Sequence, residues 1–188
     1  MLDMHRILMG CLMGLLAGCA QMPEDMALDS KVSSERNAGL VVGALVNPDG
    51  GNFGTWLEFR DVRTGKRYGW AAEGYFSAWL PPGDYEVSSI GSRRGVMGPF
   101  SKPLQFTVKQ GDINYLGEIL YGCPLDARPA AYYGVMNCGF LALGNCTVPL
   151  PTRSFCVVDR QESVVRSFLL KNPRYAGMPA RSALMSAH

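Results

Sequence analysis

Histidine is nearly missing from this chain. Its 188 residues include two, His5 and His188, so no interior imidazole is available to act as a base or to ligate a metal. Ser-His-Asp and Cys-His nucleophile systems need that imidazole, and so does histidine-held zinc. A strong charge of one sign is missing as well. The formal net charge is +2, which is no basic footprint for nucleic acid. Arg63, Lys66 and Arg67 lie together, as do Arg93 and Arg94, but beside glycines in turn-like segments they read as solvated loop tips. No apolar run approaches the roughly twenty residues a membrane-spanning helix requires. The segment Gly91 to Gly98 lacks phosphate-loop spacing and a following helix. Paired carboxylates are the remaining catalytic route, drawn from Glu58, Asp61, Glu73, Asp84, Glu86 and Glu118. Their spacing singles out no acid with a base, so the expectation is a protein without catalytic residues, metal or cofactor.

What is present begins at the N-terminus. His5 and Arg6 precede an uncharged apolar run from Ile7 to Leu16, and the run ends in Leu16, Ala17, Gly18, Cys19. Charge followed by a short apolar stretch is the order of an export signal. The Leu-Ala-Gly-Cys ending resembles the bacterial lipobox. That resemblance implies a signal peptide over residues 1–18 and a lipidated Cys19 carrying a diacylglyceryl group and an amide-linked acyl chain such as palmitate. Two or more acyl chains suffice for stable membrane anchoring. Ala20, where an Asp would retain such proteins at the inner membrane, implies the outer membrane, with the chain facing the periplasm. Residues 19–38 are polar, with Pro23, Ser30, Ser33, Ser34 and Asn37, and read as the lipidated terminus and a flexible tether.

Residues 39–121 carry a different pattern. Gly39 to Val46 is small and β-branched, and Asn47 to Gly51 is a turn cluster. Leu57 and Phe59 alternate with Glu58 and Arg60, and Phe76, Ala78 and Leu80 alternate with Tyr75, Ser77 and Trp79; each is the period-two signature of a strand. Thr64 and Gly65 mark a hairpin turn, Pro81, Pro82 and Gly83 another, and Gln110, Gly111 and Asp112 a third. About seven short strands without an intervening helix predict a mainly β protein, an antiparallel β-sandwich.

Thr64-Gly65-Lys66 after a strand, the aromatic strand into Leu80-Pro81-Pro82-Gly83-Asp84-Tyr85, and the later Phe106, Val108 and Gly111 resemble the carboxypeptidase-regulatory-like, or prealbumin-like, sandwich. They are also similar to bacterial envelope lipoproteins that carry such a module. The resemblance covers residues 39–121 and rests on turn and core positions, so it implies a fold and no activity.

From Gly122 the character changes. Glycine, proline, asparagine and cysteine dominate to about residue 153, which reads as a looped insertion. Cys11 belongs to the signal and Cys19 to the lipid site, leaving Cys123, Cys138, Cys146 and Cys156, an even set that predicts two disulfides in an exported chain. Three pairings are possible and the sequence does not choose among them. Phe155 to Val158 reads as a further strand. Asp159 and Glu162 have capping-box spacing, and Val164, Val165, Phe168 and Leu169 recur at helical intervals. The pattern predicts a helix over 160–171, stopped by Pro173, with its apolar stripe docked on the sandwich. Residues 178–188 carry weak signals and are expected to fray.

Two functional readings follow. One is a non-catalytic structural or docking component of the cell envelope, held to the membrane by lipid and bound to another envelope protein. The other is a module that binds a glycan or small molecule through surface aromatics, with Trp56, Trp70 and Trp79 as candidate ligand-facing residues.

Overall fold

A computed structural model of the chain describes residues 24–46, 53–72, 74–92, 95–100, 102–121, 128–138 and 144–187. They form strands β1 (Gly39–Val46), β2 (Phe53–Asp61), β3 (Arg67–Ala71), β4 (Tyr75–Leu80), β5 (Gly83–Ser92), β6 (Gly95–Met97), β7 (Leu104–Val108) and β8 (Ile113–Tyr121). Beyond them lie β9 (Arg128–Cys138), β10 (Gly144–Val158), helix α1 (Gln161–Lys171), β11 (Ala180–Ser182) and β12 (Ser186–Ala187). The predicted strands between residues 39 and 121 are all present.

Two layers of strands face one another. In one, β1 lies between β4 and β8; in the other, β5 lies beside β2, which pairs with β3, and its opposite edge carries β7 and then β12. The layers are joined along one side through β6, β9 and β10, so the hydrogen-bonded path runs β12-β7-β5-β6-β9-β10-β8-β1-β4. The β5 edge is shared by two partners, β7 along Gly83–Glu86 and β6 along Ile90–Ser92. The β8 edge is divided likewise, between β11 at Ile113–Tyr115 and β10 at Glu118–Tyr121. Between them sits Gly117, at φ 99°, where a Cβ would come within 2.4 Å of Val157; the irregular β1–β8 register at this point depends on glycine.

The architecture is therefore mainly β and sandwich-like, but not uniformly antiparallel. β1 and β11 both run parallel to β8, because the β7–β8 connection carries the chain from one layer to the other instead of folding back beside its neighbour.

Alternation assigns the cores. Val41, Leu45, Phe76, Ala78, Leu80, Leu116 and Ile119 point between the layers, where they meet Leu57, Phe59, Tyr85, Val87 and Phe106. Phe59 packs edge-on to Phe106 at 4.7 Å between ring centroids, and Tyr85 stacks on Phe106 at 5.6 Å. Fully buried side chains of this size contribute about 1.5–3 kcal/mol each. The Tyr85 hydroxyl donates to the Pro81 carbonyl at 2.8 Å, which ties the Pro81–Pro82–Gly83 turn to the core.

The alternate residues of the β4-β1-β8 layer are also buried. Leu40, Val42, Trp79, Ile113 and Tyr115 pack against Val164, Val165 and Phe168 of α1 and against Tyr175 and Met178. Helix α1 thus docks on the sandwich as its stripe predicts, adding a third layer. Its start differs from a capping box. Arg160 is the N-cap residue without a side-chain cap bond, and Asp159 accepts from the Gln161 amide at 3.0 Å instead.

Three regions depart from the sequence expectation. Residues 24–38 are packed rather than a flexible tether. A single 3-10 turn over Glu24–Met26 places Met26, 2% exposed, in the inter-layer core. Ser30 accepts from the Val32 and Ser33 amides, and Asn37 accepts from Ser34 and donates to the Val32 carbonyl. The polar composition that suggested a tether supplies these local bonds. Residues 19–23 lie outside the described part. Second, the insertion after residue 122 contains the longest ladder among the described residues, the antiparallel β9–β10 pair. Pro149 and Pro151 obscured it; the register shifts between Leu150 and Arg153, an irregularity that accommodates a residue lacking an amide donor. Third, the C-terminal residues are not frayed. β11 bonds β8, β12 bonds β7, and Met185 is buried between them.

Candidate functional site

Among the described residues no helix covers the outer face of β2, β3 and β5. Along β2, Trp56, Glu58 and Arg60 point outward while Leu57 and Phe59 point into the core. Trp56 is half-buried, and its neighbours explain how. Its register partner on β5 is Gly91, and Gly69 of β3 lies opposite Glu58. A Cβ at Gly69 would fall 2.3 Å from the indole ring, and one at Gly91 would fall 2.7 Å from the Trp56 Cβ. The indole therefore lies down on glycine backbone, a close approach no other residue type permits.

Beside the ring, the polar groups are fixed in pairs. The register between β2 and β5 shifts between Glu58 and Phe59, a bulge that re-aims the Ser88 side chain. Its hydroxyl donates to Glu58 Oε1 at 2.6 Å. Arg67 of β3 approaches the same oxygen at 3.7 Å. Arg60 Nε donates to Glu86 Oε1 at 2.7 Å, and the Arg60 guanidinium closes a salt bridge to it. Gly98, Pro99, Phe100 and Pro103 line it as well, Gly98 lying so close to β5 that a Cβ on it would meet the Ser88 carbonyl at 2.5 Å. Together these residues line a groove of about 720 Å³, within the size range of small-ligand sites.

The other candidates are distributed differently. Trp79 is 3% exposed and packs edge-on to Tyr175 at 5.8 Å. It faces no ligand, because α1 and the residues after it cover what the strand pattern presents as a solvent face. Trp70 occupies the register position opposite Leu57, and its side chain lies outside the described residues. Cys19, Cys123, Glu73, Arg93 and Arg94 also lie outside them. Cys138 is on β9 opposite Gly144; Cys146, exposed, and Cys156, half-buried, are on β10, ten residues apart.

Asp61 and Asp84 accept hydrogen bonds, and Glu118 has an ion-pair neighbour. Asp61 accepts from the Thr64 amide at 2.7 Å in the β2–β3 turn, and these backbone bonds hold its pKa below the usual carboxylate value against the opposing effect of burial. Asp84 accepts from the Thr107 hydroxyl at 2.6 Å. Glu118, buried, lies 3.4 Å from Arg160. Nearby, the Tyr115 hydroxyl accepts from the Arg160 amide at 2.8 Å, and its burial raises its pKa. This cluster fixes where β10 gives way to α1. Among the described residues no group of three His, Cys, Asp or Glu side chains gathers as a metal site, and no helix is long and apolar enough to cross a membrane.

Sequence reasoning found Trp56 but missed the residues that make it a platform. Gly69 and Gly91 were the available signal, since glycine inside a strand marks a place where another group comes close. No family model matches the chain, and neither a curated protein nor a solved structure is significantly similar to it.

Proposed function

We propose that the chain is a lipid-anchored component of the bacterial envelope, attached through Cys19 to the outer membrane, whose sandwich serves as a non-catalytic docking module for another envelope protein. The observation that carries this reading is the packed segment 24–38. Seven residue steps separate Cys19 from Met26, which is buried in the core, and they reach at most about 25 Å when extended. An anchor so short holds a body at a fixed height and orientation, which suits a platform for a partner. The outer edge of β3 is a surface such a partner can use. Among the described strands β3 pairs with β2 alone, and an open edge accepts an added strand.

Cys19→Ser should abolish both the acyl mass and the membrane pool on fractionation. A photo-crosslinking residue at Lys66 or Ala71, both exposed at the two ends of β3, should trap one reproducible envelope protein. An acyl-free native protein overturns the anchor, and recovery of no adduct from either position overturns the docking surface.

The prealbumin-like arrangement and the stapled extension belong to the same reading. β1 between β4 and β8, facing β2, β5 and β7, supports the first. For the second, register favours Cys138 with Cys146 and Cys123 with Cys156. Cys146 is two positions from the residue opposite Cys138, and Cys156 sits opposite Leu120, three residues before Cys123. Cys146 and Cys156 are roughly 33 Å apart along one strand at about 3.3 Å per residue, beyond disulfide reach. Peptide mapping without reductant should recover these two linked pairs; Cys123 linked to Cys138 overturns the assignment.

A further inference from the structure

We infer that the groove over Trp56 binds a neutral saccharide, one or two pyranose rings stacked on the indole. The inference does not depend on the lipid anchor, since it concerns a face of the sandwich distant in sequence from residues 1–23.

The platform comes first. A tryptophan on the water-facing side of a sheet ordinarily stands off it at an angle set by its neighbours. Here both neighbouring strands have glycine, so the indole reaches over the backbone at Gly69 and lines the groove. A flat, half-buried ring offers a π surface with little conformational entropy left to lose on binding, and its natural complement is a flat patch of C–H groups. A pyranose ring has such a patch on one face and hydroxyls around its rim.

The rim of the groove meets those hydroxyls. Glu58, Arg60, Arg67 and Glu86 are planar side chains with two or more donor or acceptor atoms each. Their partners position them before any ligand arrives. Ser88 and Arg67 both engage Glu58 Oε1, leaving Oε2 without a partner among the described residues. The Arg67 side chain is 66% exposed and that of Arg60 is 46% exposed, so each has guanidinium N–H groups facing water. Planar donors and acceptors of this kind suit adjacent hydroxyls, two bonds at a time.

Charge decides the ligand class. The groove holds two arginines and two glutamates, joined as Arg60–Glu86 and Arg67–Glu58. With the formal charges cancelling, there is no surplus cation to hold a phosphate or sulfate and no surplus anion to hold an amine. A ligand that is polar yet uncharged fits where a nucleotide or a charged peptide does not.

The test uses the full chain in detergent, with intrinsic tryptophan fluorescence and titration calorimetry against cellobiose, maltose and N,N′-diacetylchitobiose. At least one should give a saturable response that Trp56→Ala weakens by about tenfold or more, the loss of roughly 1.4 kcal/mol. Glu58→Gln should weaken it less, and Trp56→Phe should retain part of it. Circular dichroism and melting of each variant confirm that the fold is intact. Saturable binding that survives Trp56→Ala in a folded variant overturns the site. So does the absence of a response to all three disaccharides, or a response to glucose 6-phosphate that exceeds the response to every one of them.

Discussion

The two layers of this sandwich carry the same kind of strand and meet opposite fates on their outer faces. On β4, Trp79 alternates with core residues just as Trp56 does on β2, and local pattern gives no reason to distinguish them. Yet Trp79 lies under α1 and Tyr175, whereas Trp56 lies on glycine beside four charged side chains. What separates them is a layer supplied by residues about ninety positions further along the chain. A strand's alternation says which residues share a face; it does not say what, if anything, covers that face.

The sharpest way to break this comparison is to truncate both rings. Trp79→Ala should cost about 3–5 kcal/mol in denaturant unfolding, as expected for a large aromatic removed from a closed core. Trp56→Ala should cost well under half as much, since its outer face is already wet. Equal losses would mean that the two faces are not different environments. Met26→Ala comes next, at about 2–5 kcal/mol. A freely moving leader would lose nothing, so an unchanged denaturation midpoint would remove the packed segment and with it the short leash. Gly69→Val should destabilise by about 1–3 kcal/mol through overpacking against the indole, and most of that loss should vanish when Trp56 is also alanine. A loss that persists undiminished in the double variant would show that the indole does not rest on Gly69.

The smallest effect concerns pH. Because the folded pKa of Asp61 is depressed, its contribution is complete above the unfolded value of about 4 and is lost as pH falls through the folded value. The stability gap between the native chain and Asp61→Asn should therefore narrow in acid. A gap that widens below about pH 4 would contradict the turn geometry.

Much of the fold was legible because most strands of residues 39–121 alternate and their turns are marked by glycine or proline; β6, in the Gly91 to Pro99 segment that reads as a loop, is three residues long and too short to show a period. The helix was legible from Val164, Val165, Phe168 and Leu169 for the same reason. The β9–β10 ladder was not, because Pro149 and Pro151 remove amide donors that a regular strand would use, and its glycines look like loop composition. The packing of residues 24–38 was hidden in a similar way: Met26 is one apolar residue in a polar run, and a single anchoring contact has no period. Of the candidate groove, the sequence showed Trp56, Glu58 and Arg60 on a common face. It could not show that a bulge turns Ser88 toward Glu58, nor that glycines from two other strands meet under one ring, since both depend on register between segments far apart in the chain.

The final two strands impose an order of events. β11 completes the β8 edge, β12 closes onto β7, and Met185 fills the space between the layers, so one border waits for residue 182 and the other for residue 187. Any process that delivers the polypeptide from its N-terminus must pass residue 187 before the β7 border can close. Until then that border of the sandwich stays open.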